Sequence, residues 1–250
     1  MGTITNKITI YWPEKSIVFL KNNWRFSNRK IGQKINKHPK AVCEKRRALG
    51  LPFRECDVMP LTFLQKQLIY GSLLGDGSIV KGKEDKNCRF SEAHSIKQKD
   101  YLVFKYKKLK PFSGKFIKYP CKRGSNNIKF STKAHPGFNQ FRKMFYNKQG
   151  KKVIKFSTLK NITHPLALTM WFGDDGSKDK NDCRLATATF SIKEIKLLIK
   201  WLQGFFGIEG FLHKHGKYWY ISIRRDRWKF TKLIKPYLPK CMHYKLYKKI

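Results

Sequence analysis

Two segments of the chain bring an aspartate to the end of an apolar run. Leu68 to Gly77 reads LIYGSLLGDG, and Leu166 to Gly176 reads LALTMWFGDDG, so Asp76-Gly77 and Asp175-Gly176 hold matched places 99 residues apart. A carboxylate at a helix C-terminus meets the negative end of the macrodipole, at a cost of about 0.3–1 kcal/mol. Gly77 and Gly176 suit left-handed C-caps, yet nothing in capping asks for the aspartates. A divalent cation reverses the sign of the problem. Mg2+ takes hard oxygen ligands, often one or two carboxylates together with phosphate oxygens. Two such helix ends side by side would set a cation against a phosphodiester, where water can be activated and the leaving oxygen stabilised.

The helices that carry these ends must approach closely. Gly71 and Gly75 lie four residues apart on one face, beside Ser72, while the places matching Gly71 and Ser72 in the second helix hold Met170 and Trp171. Small residues let backbones come together, a steric point that holds outside membranes as well. Small against large suits one interface between two unlike helices, and so a pseudo-symmetric monomer over a homodimer.

The surrounding charge points to a polyanion. Fifty-five Lys and Arg stand against 16 Asp and Glu, a net charge of +39, spread along the whole chain. With 41% hydrophobic and 14% aromatic residues the chain can bury a core. Double-stranded DNA is the first expected partner, intron RNA the second, and a membrane surface is not expected. No run of 18 apolar residues is present, and MGTITNK has neither an apolar signal core nor the myristoylation pattern. The six cysteines are scattered without a CxxC or Cys/His spacing, which fits reduced thiols in an intracellular protein and no zinc site.

Four stretches follow along the chain. Residues 1–52 form a small helical unit: Pro13 and Glu14 open one helix, Ser27 caps a second (NRKIGQKI), and Pro39 starts a third (PKAVCEKRRAL) that Gly50 ends. In the third, Ala41, Val42 and Leu49 face inward and leave Lys40, Lys45, Arg46 and Arg47 free. Three short helices with a basic last one are similar to the helix-turn-helix class, whose last helix enters the major groove, so Lys40, Arg46 and Arg47 are candidate DNA contacts. Residues 53–61 read as a linker. Residues 62–150 and 151–250 then repeat one order of helix, strand, helix, hairpin and helix, and share local text, CRFSEAHSIKQ against CRLATATFSIKE. The first hairpin is expected around Gly124-Ser125 and the second around Gly216. Strand alternation sets Lys129 and Ser131 opposite Ile128 and Phe130, and Tyr218, Tyr220, Ser222 and Arg224 opposite Trp219, Ile221 and Ile223. The polar faces could lie in the major groove, where base edges are distinguishable.

GSLLGDG and MWFGDDG resemble the two signature helices of LAGLIDADG homing endonucleases, over about residues 62–250. LALTMWFGDDGSKDK is the stronger match, and IKPYLPKCMHYKL resembles the closing segment of the monomeric, two-repeat, intron-encoded subtype. The resemblance implies an α+β fold: a pseudo-two-fold duplicated αββαββα core with DNA-binding antiparallel sheets, beside the N-terminal three-helix unit. It implies metal binding by Asp76 and Asp175, aided by the carbonyls of Gly75 and Asp174, with Mg2+ as cofactor and Mn2+ able to substitute. It also implies a lysine near each centre, Lys152 in NKQGKK and Lys245 in CMHYK, to polarise water or stabilise the transition state. The first motif departs by carrying Leu74 where the family often has an acidic residue. The implied activity is cleavage of both DNA strands at a long asymmetric site, across the minor groove, leaving 3′ overhangs. Two alternatives stay open: a group I intron maturase on the same scaffold, and a DNA-binding regulator with an inactive nuclease domain. Abundant Lys, Asn, Ile, Phe and Tyr suggest an AT-rich genome, such as an organelle or phage.

Overall fold

The computed structural model describes residues 11–52, 59–83, 85–120 and 126–247. The expected turn at Gly124-Ser125 and most of the linker lie outside the described residues. The chain divides into two compact units, residues 1–60 and 61–250.

In the first unit, α1 (Glu14–Asn22), α2 (Asn28–Ile35) and α3 (Pro39–Ala48) enclose a core of Leu20, Ile31 and Val42, flanked by Trp12, Phe19, Ile35, Leu49 and Leu51. The Ser27 hydroxyl accepts from the Lys30 amide and caps α2. Asn36 then turns left-handed at φ 47°. The chain folds back so closely that a Cβ on Gly32 would sit 2.3 Å from the Lys37 carbonyl. His38 caps α3, with Pro39 in its first turn.

Arg46 departs from its expected role as a DNA contact. It is buried, and its guanidinium donates to Asn28 Oδ1 (2.8 Å) and to the carbonyls of Phe26 (2.8 Å) and Trp24. The α1–α2 connection presents unpaired carbonyls to the core, and Arg46 is the residue long enough to satisfy them. Lys40 and Arg47 remain exposed, as expected.

The second unit is built twice. The first half runs α4 (Phe63–Leu74), β1 (Ser78–Val80), β2 (Arg89–Ser95), α5 (Lys99–Lys108), β3 (Ser113–Pro120), β4 (Asn126–Thr132) and α6 (Asn139–Phe145). After the short α7 (Phe156–Leu159), the second half runs α8 (Pro165–Asp175), β5 (Gly176–Asp179), β6 (Asp182–Ala186), α9 (Ile192–Phe206), β7 (Phe211–His215), β8 (Tyr218–Ile223) and α10 (Arg227–Ile234). The two antiparallel sheets share one strand order, β1-β2-β4-β3 and β5-β6-β8-β7. This is the αββαββα duplication the sequence implied. Capping boxes start α4, through Thr62 and Gln65, and α9, through Ser191 and Glu194.

Helices α4 and α8 are apolar on all sides because both are buried between the halves. Residues Gln67 to Leu74 and Leu166 to Gly173 are all buried. Their contact differs from the expected small-against-large pairing. Gly71 lies on the backbone of Ala167, where an added Cβ would meet the Ala167 oxygen at 2.1 Å. Trp171 instead packs on Trp201 of α9, ring centroids 6.4 Å apart. The tight face is therefore small against small; Trp171 fills the core of its own half, while Met170 reaches across to Tyr101 of the first half, its Sδ 4.0 Å from the hydroxyl. The glycines after the aspartates also differ from expectation. Gly176 is extended at φ −86°, and Gly77 is absent from the positive-φ residues. They are glycines for space: a Cβ would meet Phe172 at Gly176, or Phe90 and Ser72 at Gly77.

Candidate metal centre and nucleic-acid face

α4 ends at Leu74 and turns through Gly75 and Asp76 into β1, whereas α8 continues through Asp174 and Asp175 into β5. Both ends open into one cleft of about 590 Å³ lined by Gly75, Asp76, Lys151, Lys152, Asp175, Ala186, Ala188 and Thr189. The Asp76 side chain is 44% exposed. Asp175 is half-buried, and burial and then the neighbouring Asp76 push its carboxyl up to about 6, against the pull of Lys152 and Lys245. Two carboxylates that line one polar cleft form a set of hard oxygen donors, the kind Mg2+ or Mn2+ takes. The buried Oδ2 of Asp174 has no hydrogen-bond partner among the described residues, a further oxygen at this place. The residues present fit such a cation.

Both expected lysines reach this region. Lys152 follows the turn at Gly150, held by its bridge to Tyr146 and by the Val153 amide on the Phe145 carbonyl (2.8 Å). Its Nζ donates to the Gly75 carbonyl at 2.8 Å. Lys245 ends a 3-10 segment, Lys240–Lys245, anchored by buried Met242 and Leu246. Its Nζ donates to the Gly173 carbonyl at 2.7 Å and lies 3.4 Å from that of Asp174. Each ammonium thus sits on the end of one acidic segment. Burial lowers both lysines, while the aspartates pull them back up.

Four further residues border the centre that sequence reasoning missed. Asp174 Oδ1 accepts from Lys105 Nζ (2.6 Å) and the Tyr101 hydroxyl (2.8 Å). Lys105 also donates to Glu92 Oε1 (2.5 Å) and Ser72 Oγ (2.9 Å). His94 Nε2 lies 2.6 Å from Glu92 Oε1, and its Nδ1 is 3.5 Å from Asp76 Oδ2. Burial and Glu92 push the Asp174 carboxyl up, against Lys105. Burial also acts on Glu92, but Lys105 and His94 outweigh it and hold that carboxyl below the usual range. The tightest grouping of cation-type ligands among the described residues is Asp76, His94 and Asp174. It overlaps the expected set without Asp175. His94 is already engaged by Glu92, whereas Asp76 and Asp175 open onto the cleft. One signal could have exposed Lys105: it stands four residues from both Tyr101 and Leu109, on the apolar face of its helix.

The sheets have a helix-covered face and an open one. In the first, Ile128 and Phe130 are buried under α5, and Phe116 packs on Tyr106 at 4.6 Å. Lys129 and Ser131 lie on the open face, half-buried; the Ser131 hydroxyl donates to Ser91 Oγ at 3.0 Å. In the second, Tyr218 and Arg224 are exposed, and half-buried Tyr220 stacks on His213 with the Arg184 guanidinium 5.3 Å from its ring centre. Ser222 departs from its expected role as a DNA contact. It is fully buried, its hydroxyl donating to Asp182 Oδ1 at 2.8 Å. Alternation gave its face correctly, but Asp182, held by Arg184 at 3.1 Å, occupies the space above it.

Comparison with known proteins gives four results. Residues 66–230 match a model described as the LAGLIDADG DNA endonuclease family. Cytochrome b mRNA maturase bI2 of Debaryomyces hansenii is 33% identical over 198 residues, 75% of each chain. DNA endonuclease I-ChuI of Chlamydomonas applanata is 32% identical over 211 residues, 75% of this chain and 96% of its own. The homing endonuclease I-WcaI, solved bound to its DNA recognition sequence, shares the fold with TM-score 0.70 at 22% identity, over 84% of this chain and 93% of its own.

Proposed function

The chain belongs to the LAGLIDADG DNA endonuclease family, and on that premise we propose that it is a homing endonuclease that hydrolyses both strands of duplex DNA at one long asymmetric site. The observation that carries this reading is the shared cleft of Asp76 and Asp175, with Lys152 and Lys245 on the two helix ends. Asp76 and Asp175, with the carbonyls of Gly75 and Asp174, would hold Mg2+, or Mn2+ in its place. When bound, the cation supplies charge stabilisation at the phosphoryl oxygens. The chain's own residues do the rest. Lys152 and Lys245 bring positive charge to where the pentavalent transition state gathers negative charge. Their lowered proton affinity also suits them to exchange a proton with an attacking water. The open sheet faces, with Lys129, Ser131, Tyr218, Tyr220 and Arg224, lie along the duplex, and the surplus lysines hold phosphates.

The reading is tested with a plasmid carrying the uninterrupted insertion site of the chain's own intron, incubated with Mg2+. Wild type should linearise it, and Asp76→Asn and Asp175→Asn should each fail to cut while still retarding the DNA in a gel. An intact plasmid with wild type defeats the proposal.

A second reading is favoured by the mRNA maturase at 33% identity: assistance to splicing of a group I intron, with that intron RNA as partner. An intron-splicing assay with the same aspartate variants separates the two, because splicing does not need the cleavage carboxylates. The N-terminal unit lies outside residues 66–230, which match the family model, and we assign it extra DNA contacts through the exposed Lys40 and Arg47 of α3. Deleting residues 1–52 should weaken recognition and leave the cutting chemistry intact. A monomer working in an organelle, or in a phage-infected cell, fits the duplicated core and the cytochrome b relative.

A further inference from the structure

The core is duplicated, but the ionic groups beneath its cleft are not. The Lys105 ammonium has three protons and three acceptors, Ser72 Oγ, Glu92 Oε1 and Asp174 Oδ1. Its side chain and those of Glu92 and Asp174 are wholly buried. From Lys105 the contacts run one way to Asp174, at the end of α8. They run the other way through Glu92 and His94 to Asp76, after the end of α4. One buried chain of charge therefore joins the two acidic segments, and every link between them comes from the first half.

Among the described residues, the second half has no counterpart. Matching CRFSEAHSIKQ to CRLATATFSIKE sets Thr187 in place of Glu92, Thr189 in place of His94 and, beyond the matched serines, Leu197 and Trp201 in place of Tyr101 and Lys105. The partner of Asp174 in the first motif is Gly75, which has no side chain. The replacements are engaged elsewhere: the Thr187 hydroxyl donates to the Trp219 carbonyl (2.8 Å), and Trp201 Nε1 to the Ile162 carbonyl (3.0 Å).

A buried lysine between two carboxylates is a costly way to stabilise a fold, since apolar residues of the same volume usually do as well. What an ion pair adds is geometry, because each short charged bond fixes a distance. Asp174 neighbours Asp175, and its own carbonyl faces Lys245. Holding the Asp174 side chain therefore fixes the helix end that delivers Asp175.

We propose that Lys105, supported by Tyr101 and Glu92, is a positioning residue for the acidic segments, and that the two strands of a bound duplex consequently meet unequal centres. This rests on the endonuclease reading. Disturbing the network displaces the aspartates by different amounts, since Asp174 is gripped directly and Asp76 only through Glu92 and His94. The two strand cuts then slow by different factors.

The test uses the full chain on a duplex carrying the insertion site, with the two strands labelled separately and single-turnover rates read for each. Tyr101→Phe removes one donor from Asp174 without changing charge or volume much. A second variant pairs Lys105→Met with Glu92→Gln, so that no lone ammonium or glutamate is left buried in an unfolding core. Tyr101→Phe should shift the ratio of strand rates severalfold. The paired variant should slow one strand by about 10–100-fold, as loss of outer support does at metal centres, and the other by much less, with DNA affinity retained. Equal slowing of both strands, or no slowing, overturns the proposal while leaving the endonuclease reading intact. A wild type that cuts neither strand sinks both.

Discussion

Lys152 Nζ donates to the Gly75 carbonyl at 2.8 Å, joining residues 77 apart in sequence. The bond sets an ammonium at the mouth of the cleft beside Asp76, and the fold repeats it with Lys245 on Gly173. A lysine needed only for phosphate affinity would project into solvent. These two are half-buried, and burial lowers their proton affinity.

Removing either ammonium should therefore harm chemistry more than binding. Lys152→Met and Lys245→Met are expected to lower the cleavage rate by about 100-fold or more, the scale for losing one preorganised group at a developing charge. The dissociation constant should change little. Wild-type cutting by either variant would remove that lysine from the mechanism.

The Asp175 contribution to metal-free stability should fall as pH rises from about 4 through about 6. The Asp175 carboxyl is pushed up to about 6 in the fold, above the ~3.9 of an unfolded aspartate. A raised carboxyl contributes stability in full below pH ~4 and loses it as pH rises through ~6, because the fold must then hold an unwelcome charge. In EDTA at pH 7.5, Asp175→Asn should melt above wild type. Added Mg2+ should raise the wild-type Tm more at pH 7.5 than at pH 5. A rise of equal size at both pH values would speak against Asp175 as a ligand.

Two glycine-to-alanine changes should act in opposite directions. At Gly71 a Cβ lands 2.1 Å from the Ala167 oxygen, backbone on backbone, while Gly204 in α9 has no such neighbour within 4 Å. Gly71→Ala should destabilise by about 1–3 kcal/mol or more, as overpacking does. Gly204→Ala should stabilise by up to ~1 kcal/mol through helix propensity. Urea midpoints that move the same way for both would contradict the close approach of α4 and α8.

In the N-terminal unit, neighbouring arginines should separate cleanly. Arg46→Met strips the partner from carbonyls at Phe26 and Trp24 and should open that unit to limited proteolysis. Arg47→Ala and Lys40→Ala should leave it protected and each flatten the salt dependence of DNA binding by about one unit of slope. Unchanged binding by the double variant Lys40→Ala, Arg47→Ala would end the case for α3 as a DNA contact.

Much of this architecture is legible in the sequence because the long helices are strongly patterned. Both ends of α9 are marked in the sequence, by the capping box of Ser191 and Glu194 and by Gly207, which takes φ 60°. β1 and β5, three and four residues long, left no separate signal among the residues, and only the duplicated fold plan implied them. The aspartates and both lysines were findable because they sit in repeated or family-like text. Glu92, His94 and Lys105 were overlooked because no motif contains them; Lys105 alone carries a mark of burial, its place on the apolar face four residues from Tyr101 and Leu109. Arg46 and Ser222 mislead for different reasons: Arg46 stands four residues after Val42 and three before Leu49, on the inward face of its helix, where its guanidinium meets backbone carbonyls, whereas Ser222 has the expected face but lies under Asp182. Periodicity reports which way a side chain points, not whether another polar group already covers it.

The unequal halves also decide which pieces could find one another. Were the chain severed near Gly150, two copies of the first half would bring Lys105 to a second Gly75, with no Asp174 to meet it. Two copies of the second half would press Asp174 against Leu197 and Trp201. Only one fragment of each kind restores the buried pairing, so the network doubles as a recognition code that makes the fragments obligate complements.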